Sequence, residues 1–185
     1  MTRISARDHW NVRYRERAWP EEPSSWLVEN LDAVPPGRVL DVAGGTGRNA
    51  LWLAARSRDV TVVDASDVAL EIARARADTR GLPVSTVAAD LTTEPLPDGP
   101  WDAILLFHYL DRRLFPALLE ALRPRGVLLG AITTVRNLER HDRPPRRFVL
   151  GLHELPGLLE GYELVRYEEG WREDHHDARF VARRP

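Results

Sequence analysis

The chain predicts an α/β fold: a doubly wound, mostly parallel seven-stranded sheet with an antiparallel C-terminal hairpin. Three observations carry this. Through Thr134, short apolar runs alternate with helix-forming segments, the pattern of a parallel sheet covered on both faces. A glycine cluster, Gly44-Gly45-Thr46-Gly47, directly follows the first apolar run, reading as strand, tight turn and helix. Near the C-terminus, two further runs lie too close together for a crossover helix, so they must pair as a hairpin.

The elements follow in order. Trp10, Tyr14 and Trp19 stand among arginines, and Trp10 and Tyr14 share a face if the segment is helical. This segment is expected either to dock on the core through its aromatics or to close over a ligand. Ser24 or Ser25 caps a helix through about Leu31, and Pro35-Pro36-Gly37 ends it. Residues 1–34 thus form a helical cap segment on a single domain spanning 1–185. Arg38 to Val42 is the first strand, and Ala50 to Ala55 lies in the buried helix after the glycine turn. Asp59 to Ala65 is the second strand. Ser66 caps a helix from Val68 to Arg80, closed by Gly81. Val84 to Ala89 and Trp101 to Phe107 are the third and fourth strands, Leu114 to Leu122 a helix, and Gly126 to Thr134 the fifth strand. The charged, proline-bearing stretch from Arg136 to Arg147 reads as a mobile loop. A short helix at Leu155 to Leu159 precedes the hairpin of Tyr162 to Tyr167 with Ala178 to Arg183.

Composition sets limits on function. The 43% apolar and 29% charged content is that of an ordinary soluble domain, and a net charge of −2 gives no basic surplus for nucleic acid. With no Cys, thiolate chemistry and disulfides are excluded. All 26 basic residues are Arg, so Schiff-base lysines and the P-loop lysine are excluded too. The six His show no paired metal-ligand spacing, so no metal is expected. No apolar run is long enough to span a bilayer, and the first residues lack a secretory apolar region, so a cytoplasmic protein without membrane contact is expected.

Asp41, Asp64 and Asp90 each close a predicted strand, 23 and 26 residues apart. In a parallel sheet the carboxyl ends of the strands share one edge, where ligands bind. One such acid is commonly a helix cap; three in register describe a cleft. An acid after the second strand suits ribose hydroxyls, and an acid after the third suits an adenine amine. Gly45-Thr46-Gly47-Arg48-Asn49-Ala50 formally fits the dinucleotide pattern of a Rossmann-like unit. Asp41, however, would repel a pyrophosphate and attract an ammonium or sulfonium.

The run Leu40-Asp41-Val42-Ala43-Gly44-Gly45-Thr46-Gly47 resembles the first motif of class I S-adenosylmethionine-dependent methyltransferases. Asp64 and Asp90 match that family's second and third motif positions. Trp101-Asp102-Ala103-Ile104-Leu105-Leu106-Phe107 is similar to its fourth-strand motif, and Leu122-Arg123-Pro124-Arg125-Gly126 to its step into strand five. Two positions depart from the pattern: Ala43 and Arg125 each replace a glycine. Ala43 still fits if its φ is negative, and the change should then narrow the turn rather than close it. Among the family, Arg48-Asn49-Ala50-Leu51 and the aromatic lead resemble small enzymes of the tellurite-resistance and thiopurine kind. The resemblance implies S-adenosyl-L-methionine as cofactor, held by Asp41, Ala43, Gly45, Gly47, Arg48, Asp64, Ala65, Asp90, Leu91 and Phe107. Trp10, Arg13 or Tyr14 would then close over its methionine moiety.

Methyl transfer needs alignment first, and a general base only for oxygen or nitrogen acceptors. His108 and Tyr109 follow the fourth strand at the edge where the acids gather, and Arg147 and His175-His176 are further candidates for the acceptor side or for solvated loop positions. The place where amino-base methylases carry an Asn/Asp-Pro-Pro-aromatic run reads Phe107-His108-Tyr109-Leu110 here. A small-molecule or small inorganic acceptor follows, with oligomeric state open. Two other classes stay in play: a cofactor-binding partner without transfer activity, and an NAD-linked oxidoreductase.

Overall fold

The computed structural model describes residues 5–185; the first four residues of the expected cap segment, and with them most of the start read as lacking a secretory region, lie outside it. Seven strands form one sheet: β1 (Arg38–Val42), β2 (Asp59–Asp64), β3 (Val84–Ala88), β4 (Trp101–Phe107), β5 (Leu122–Thr133), β6 (Glu163–Arg172) and β7 (His175–Arg183). Their order is β3-β2-β1-β4-β5-β7-β6. The first five are parallel, and β7 runs antiparallel to both β5 and β6. The expected doubly wound, mostly parallel seven-stranded sheet with its C-terminal hairpin is the observed one.

Strand alternation divides the core into two layers. Leu40, Val42, Ile104, Leu106, Leu128 and Phe180 pack on one face of the sheet. Val39, Val60, Val62, Ala103, Leu105, Leu129 and Val181 pack on the other. Helices α3 (Arg48–Ala54) and α2 (Ser25–Glu29) cover the second face, where Trp26 donates its indole N–H to the Phe180 carbonyl at 3.1 Å. Helix α5 (Phe115–Ala121) lies on the first. Helix α4 (Asp67–Arg80) has the caps its sequence announces: Ser66 Oγ accepts from the Ala69 amide, and Gly81 takes the left-handed conformation at the end.

Several expectations need correction. β5 begins at Leu122 rather than Gly126, because Leu122 pairs with Trp101 before a register shift lets Val127 face Ala103. The hairpin strands are longer than the sequence pattern indicated. β6 continues through a charged stretch because its side chains pair off: Arg172 contacts Glu29 and Glu168, each at 2.7 Å, and Arg166 reaches Asp32 at 2.9 Å. The stretch read as a mobile loop is structured at its start as a 3-10 turn, Val135–Glu139. Buried Asn137 ties it to β7, its Oδ1 accepting from the His176 amide at 3.2 Å. Helix α1 (Ala6–Glu16) buries none of its residues, so its aromatics do not dock it on the core. Asn11 does the tethering instead, its Oδ1 accepting from Ser66 Oγ at 2.7 Å and the Val68 amide at 3.2 Å.

Ala43 has φ of 51°, so the condition of a negative value is not met, and Arg125 has φ of 66°. Both replacements of the motif's glycines therefore stand where the chain must turn left-handed, and each carries the Cβ penalty of that region. Accordingly, Ala43→Gly and Arg125→Gly should each raise stability by about 1 kcal/mol, read as a shifted urea midpoint with unchanged m-value.

Candidate active site

The parallel registers bring Asp41, at the end of β1, and Asp64, at the end of β2, to one edge, with Asp90 two residues beyond β3. The glycine turn crosses that edge. Gly44 packs so closely on Asp41 that a Cβ would lie 2.7 Å from the carboxyl carbon and 2.9 Å from Val62 Cγ1. Asp41 is thereby sealed, 1% exposed, and its Oδ2 has no hydrogen-bond partner among the described residues. Burial pushes its pKa up to about 7, while the Arg48 guanidinium and the Ala50 amide pull it down and the Asp64 carboxylate adds to the rise.

Asp64 is also buried, and burial raises its pKa; its backbone hydrogen bonds oppose the rise. Its Oδ2 accepts from the Gly45 amide at 2.9 Å and its Oδ1 from the Ser66 amide at 2.8 Å. The second acid thus holds the glycine turn against the start of α4. Asp90 is half-buried, and its Oδ1 accepts from the Thr92 amide at 3.0 Å and the Thr92 hydroxyl at 2.6 Å. Ala65 is half-buried beside Asp64, whereas Leu91 and Phe107 belong to the apolar layers.

Tyr14 of α1 reaches over the turn, its hydroxyl filling the space that a Cβ on Gly45 would need. Burial raises its pKa, and the Asp64 and Asp41 carboxylates raise it further. Trp19 lies 4.4 Å from the Tyr14 ring and Trp10 6.0 Å from it, with the Arg13 guanidinium 5.0 Å from the Trp10 ring. The predicted lead segment therefore meets the glycine turn through Tyr14. Gly47, left-handed with φ of 76°, starts α3 and directs Arg48 toward Asp41 and Tyr14.

At the end of β4, His108 turns left-handed with φ of 55°, and its amide donates to the Ala131 carbonyl at 2.8 Å. The residue keeps a solvent-accessible surface, yet the protein crowded around its ring lowers its pKa. The Asp177 carboxylate raises it; Arg48, His175 and Arg179 lower it. Tyr109 faces the other way: burial and the Asp111 and Asp90 carboxylates push its pKa up to about 12. Arg147 is exposed, stacked 4.6 Å from the Phe148 ring, and is not among the charges acting on His108.

The histidine pair is not in a loop. His175 and His176 open β7, and His176 is buried with its Nδ1 2.7 Å from Thr134 Oγ1. Sequence reasoning missed Asp177 and Arg179, both buried in β7 and 3.5 Å apart. Their signal was present: apolar Ala178, Phe180 and Ala182 alternate with Asp177, Arg179 and Val181, an ionic pair on one face of an interior strand.

A methyltransferase domain model matches residues 39–126, which hold the glycine turn, all three acids and β4. The probable S-adenosyl-L-methionine-dependent methyltransferase TehB of Haemophilus influenzae is 24% identical over 155 residues, covering 80% of this chain and 54% of TehB. Its solved structure superposes with a TM-score of 0.74 at 21% identity, covering 97% of this chain and 67% of that one. Demethylmenaquinone methyltransferase of Thermus thermophilus is 44% identical over 73 residues, 38% of this chain and 33% of the relative. A structure from work on converting a disulfide bond into a thioacetal group in echinomycin biosynthesis superposes with a TM-score of 0.78 at 24% identity, covering 97% and 92% of the two chains. The chain spans about half the length of the TehB relatives it matches. The domain match lies over the very strands and turn that gather the acids, and together with the shared fold these likenesses support a class I S-adenosylmethionine-dependent methyltransferase.

Proposed function

We propose that this protein transfers a methyl group from S-adenosylmethionine to a small-molecule acceptor by in-line displacement. The observation that carries the reading is Asp41: a sealed carboxylate oxygen without a donor, beneath a glycine turn at the carboxyl edge of the sheet. A group of this kind calls for a cation with hydrogens to donate. The methionine ammonium fits that requirement; a pyrophosphate does not.

The other acids support the same ligand. Asp64 uses one acceptor site on each oxygen for the Gly45 and Ser66 amides, and a carboxylate oxygen offers two, so both ribose hydroxyls can still be received. Asp90 stands beyond β3, on the side suited to the adenine amine. Gly45, Gly47 and Arg48 would surround the methionine moiety together with Ala43, and Tyr14, with Trp10 and Arg13 behind it, would shield it. When bound, the cofactor supplies an electrophilic methyl carbon on a sulfonium. The chain's own residues then orient the acceptor and exclude water, with His108 available to take up a proton. Its lowered pKa keeps the imidazole neutral, the form that accepts one. The mild negative net charge supports a small acceptor over a nucleic acid. Among the described residues, no helix is long and apolar enough to cross a membrane.

Two measurements test the cofactor reading. Asp41 has a folded pKa of about 7, above its unfolded value near ~4, so the folded apoprotein binds the extra proton between those limits. Stability should therefore be highest below about pH 4 as far as this group is concerned and fall as pH rises through about 7. Over that window S-adenosylhomocysteine binding should strengthen, with release of up to about one proton in calorimetry, because its ammonium pairs with the ionised acid. In Asp41→Asn both trends should vanish; their persistence would contradict the assignment. Separately, Asp64→Ala should weaken S-adenosylhomocysteine binding by about 1–3 kcal/mol, the scale of lost hydrogen bonds to a charged acceptor. Asp64→Asn, which keeps the side chain's shape, should fall in the same direction, and unchanged affinity in both would remove the ribose role.

A further inference from the structure

Asp177 is, after Asp41, the second carboxylate with an orphaned oxygen among the described residues. It is 4% exposed, and its Oδ1 has no hydrogen-bond partner among the described residues. Its Oδ2 lies 3.5 Å from Arg179 Nη2, and Arg179 spends its Nη1 on the Gly170 carbonyl at 3.1 Å. The ion pair therefore satisfies one side of the carboxylate and leaves the other without a donor.

Its position is set by register. Asp177 faces Thr133 at the end of β5, and Phe107, the last residue of β4, faces Ala131 on the other side of the same strand. His108 continues from there and donates its amide to Ala131. Asp177 and His108 thus end on one sheet edge with a single strand between them, about 10 Å apart at two strand spacings. Alternation puts Asp177 on the same face as Phe107, Ala131 and Val181, the face that α3 covers and from whose first turn Arg48 projects. That His108 senses the Asp177 carboxylate and the Arg48 guanidinium agrees with the three side chains lying near one another.

We propose that Asp177 is an acceptor-binding residue, its free Oδ1 receiving a hydrogen bond from an O–H or N–H group of the methyl acceptor. The inference rests on the methyltransferase reading above and narrows it. An ionised carboxylate only accepts hydrogen bonds, so it selects a ligand with a strong donor. An oxyanion would bring like charge against it, and a thiol donates too weakly to replace the lost hydration. The substrate class is a neutral or cationic small molecule with a hydroxyl or amine.

The test uses the full chain with methyl-labelled S-adenosylmethionine and five probes: catechol, benzylamine, 2-mercaptoethanol, selenite and tellurite. Label is expected on catechol or benzylamine. In Asp177→Asn, KM for the labelled probe should rise about tenfold or more while kcat changes little, the mark of binding lost equally in ground and transition states. Calorimetry should show S-adenosylhomocysteine affinity within about twofold of the parent, since the residue does not touch the donor. Label only on the thiol or an oxyanion, or on none of the probes, overturns the proposal, as does an unchanged KM in the variant. If Asp177→Asn fails to fold, the order of probes with the parent protein decides alone. Loss of S-adenosylhomocysteine binding in the parent would refute the methyltransferase reading itself; binding intact without transfer to a hydroxyl or amine refutes only this assignment.

Discussion

A buried carboxylate with one oxygen lacking a donor among the described residues is the constraint around which this fold is arranged. Asp41 reaches its place because β1 is a central parallel strand and ends where β2 and β4 also end. The glycine turn then folds back over it, and only a residue without a Cβ fits at Gly44. Isolated, such a group is costly, and the protein answers by holding it near neutrality rather than by supplying a salt bridge. On the proposed function, that unmet demand is what a cationic ligand would meet.

The rest of the edge reads as support for that demand. Asp64 fixes the glycine turn through Gly45 and the start of α4 through Ser66, so one side chain sets the spacing between two loops. Asn11 fastens α1 to that same start of α4, which brings Tyr14 over Gly45. The lead segment is thus attached to the site by polar contacts at a helix N-terminus, while its aromatics stay in contact with one another. Removal of that attachment would open the edge without disturbing either apolar layer.

What was legible in the sequence is what depends on neighbours in the chain. The five parallel strands, the caps Ser66 and Gly81, and the gathering of Asp41, Asp64 and Asp90 follow from period, turn residues and the rule that parallel strands share an edge. What was not legible depends on distant partners. The sign of φ at Ala43 is imposed by the turn's closure over Asp41, and the alanine itself gives no sign of it. The length of β6 depends on arginines finding acids in the N-terminal segment. The place of His176 and Asp177 in β7 depends on an antiparallel register with β5 that no local pattern fixes uniquely.

The central claim is electrostatic: the acid-lined edge takes a cationic, ribose-bearing ligand and refuses a pyrophosphate. The most direct measurement is a pair of calorimetric titrations of the same protein at neutral pH, one with S-adenosylhomocysteine and one with NADH. Saturable binding of the first and none of the second is the outcome this account requires. Binding of NADH with no response to S-adenosylhomocysteine would contradict it.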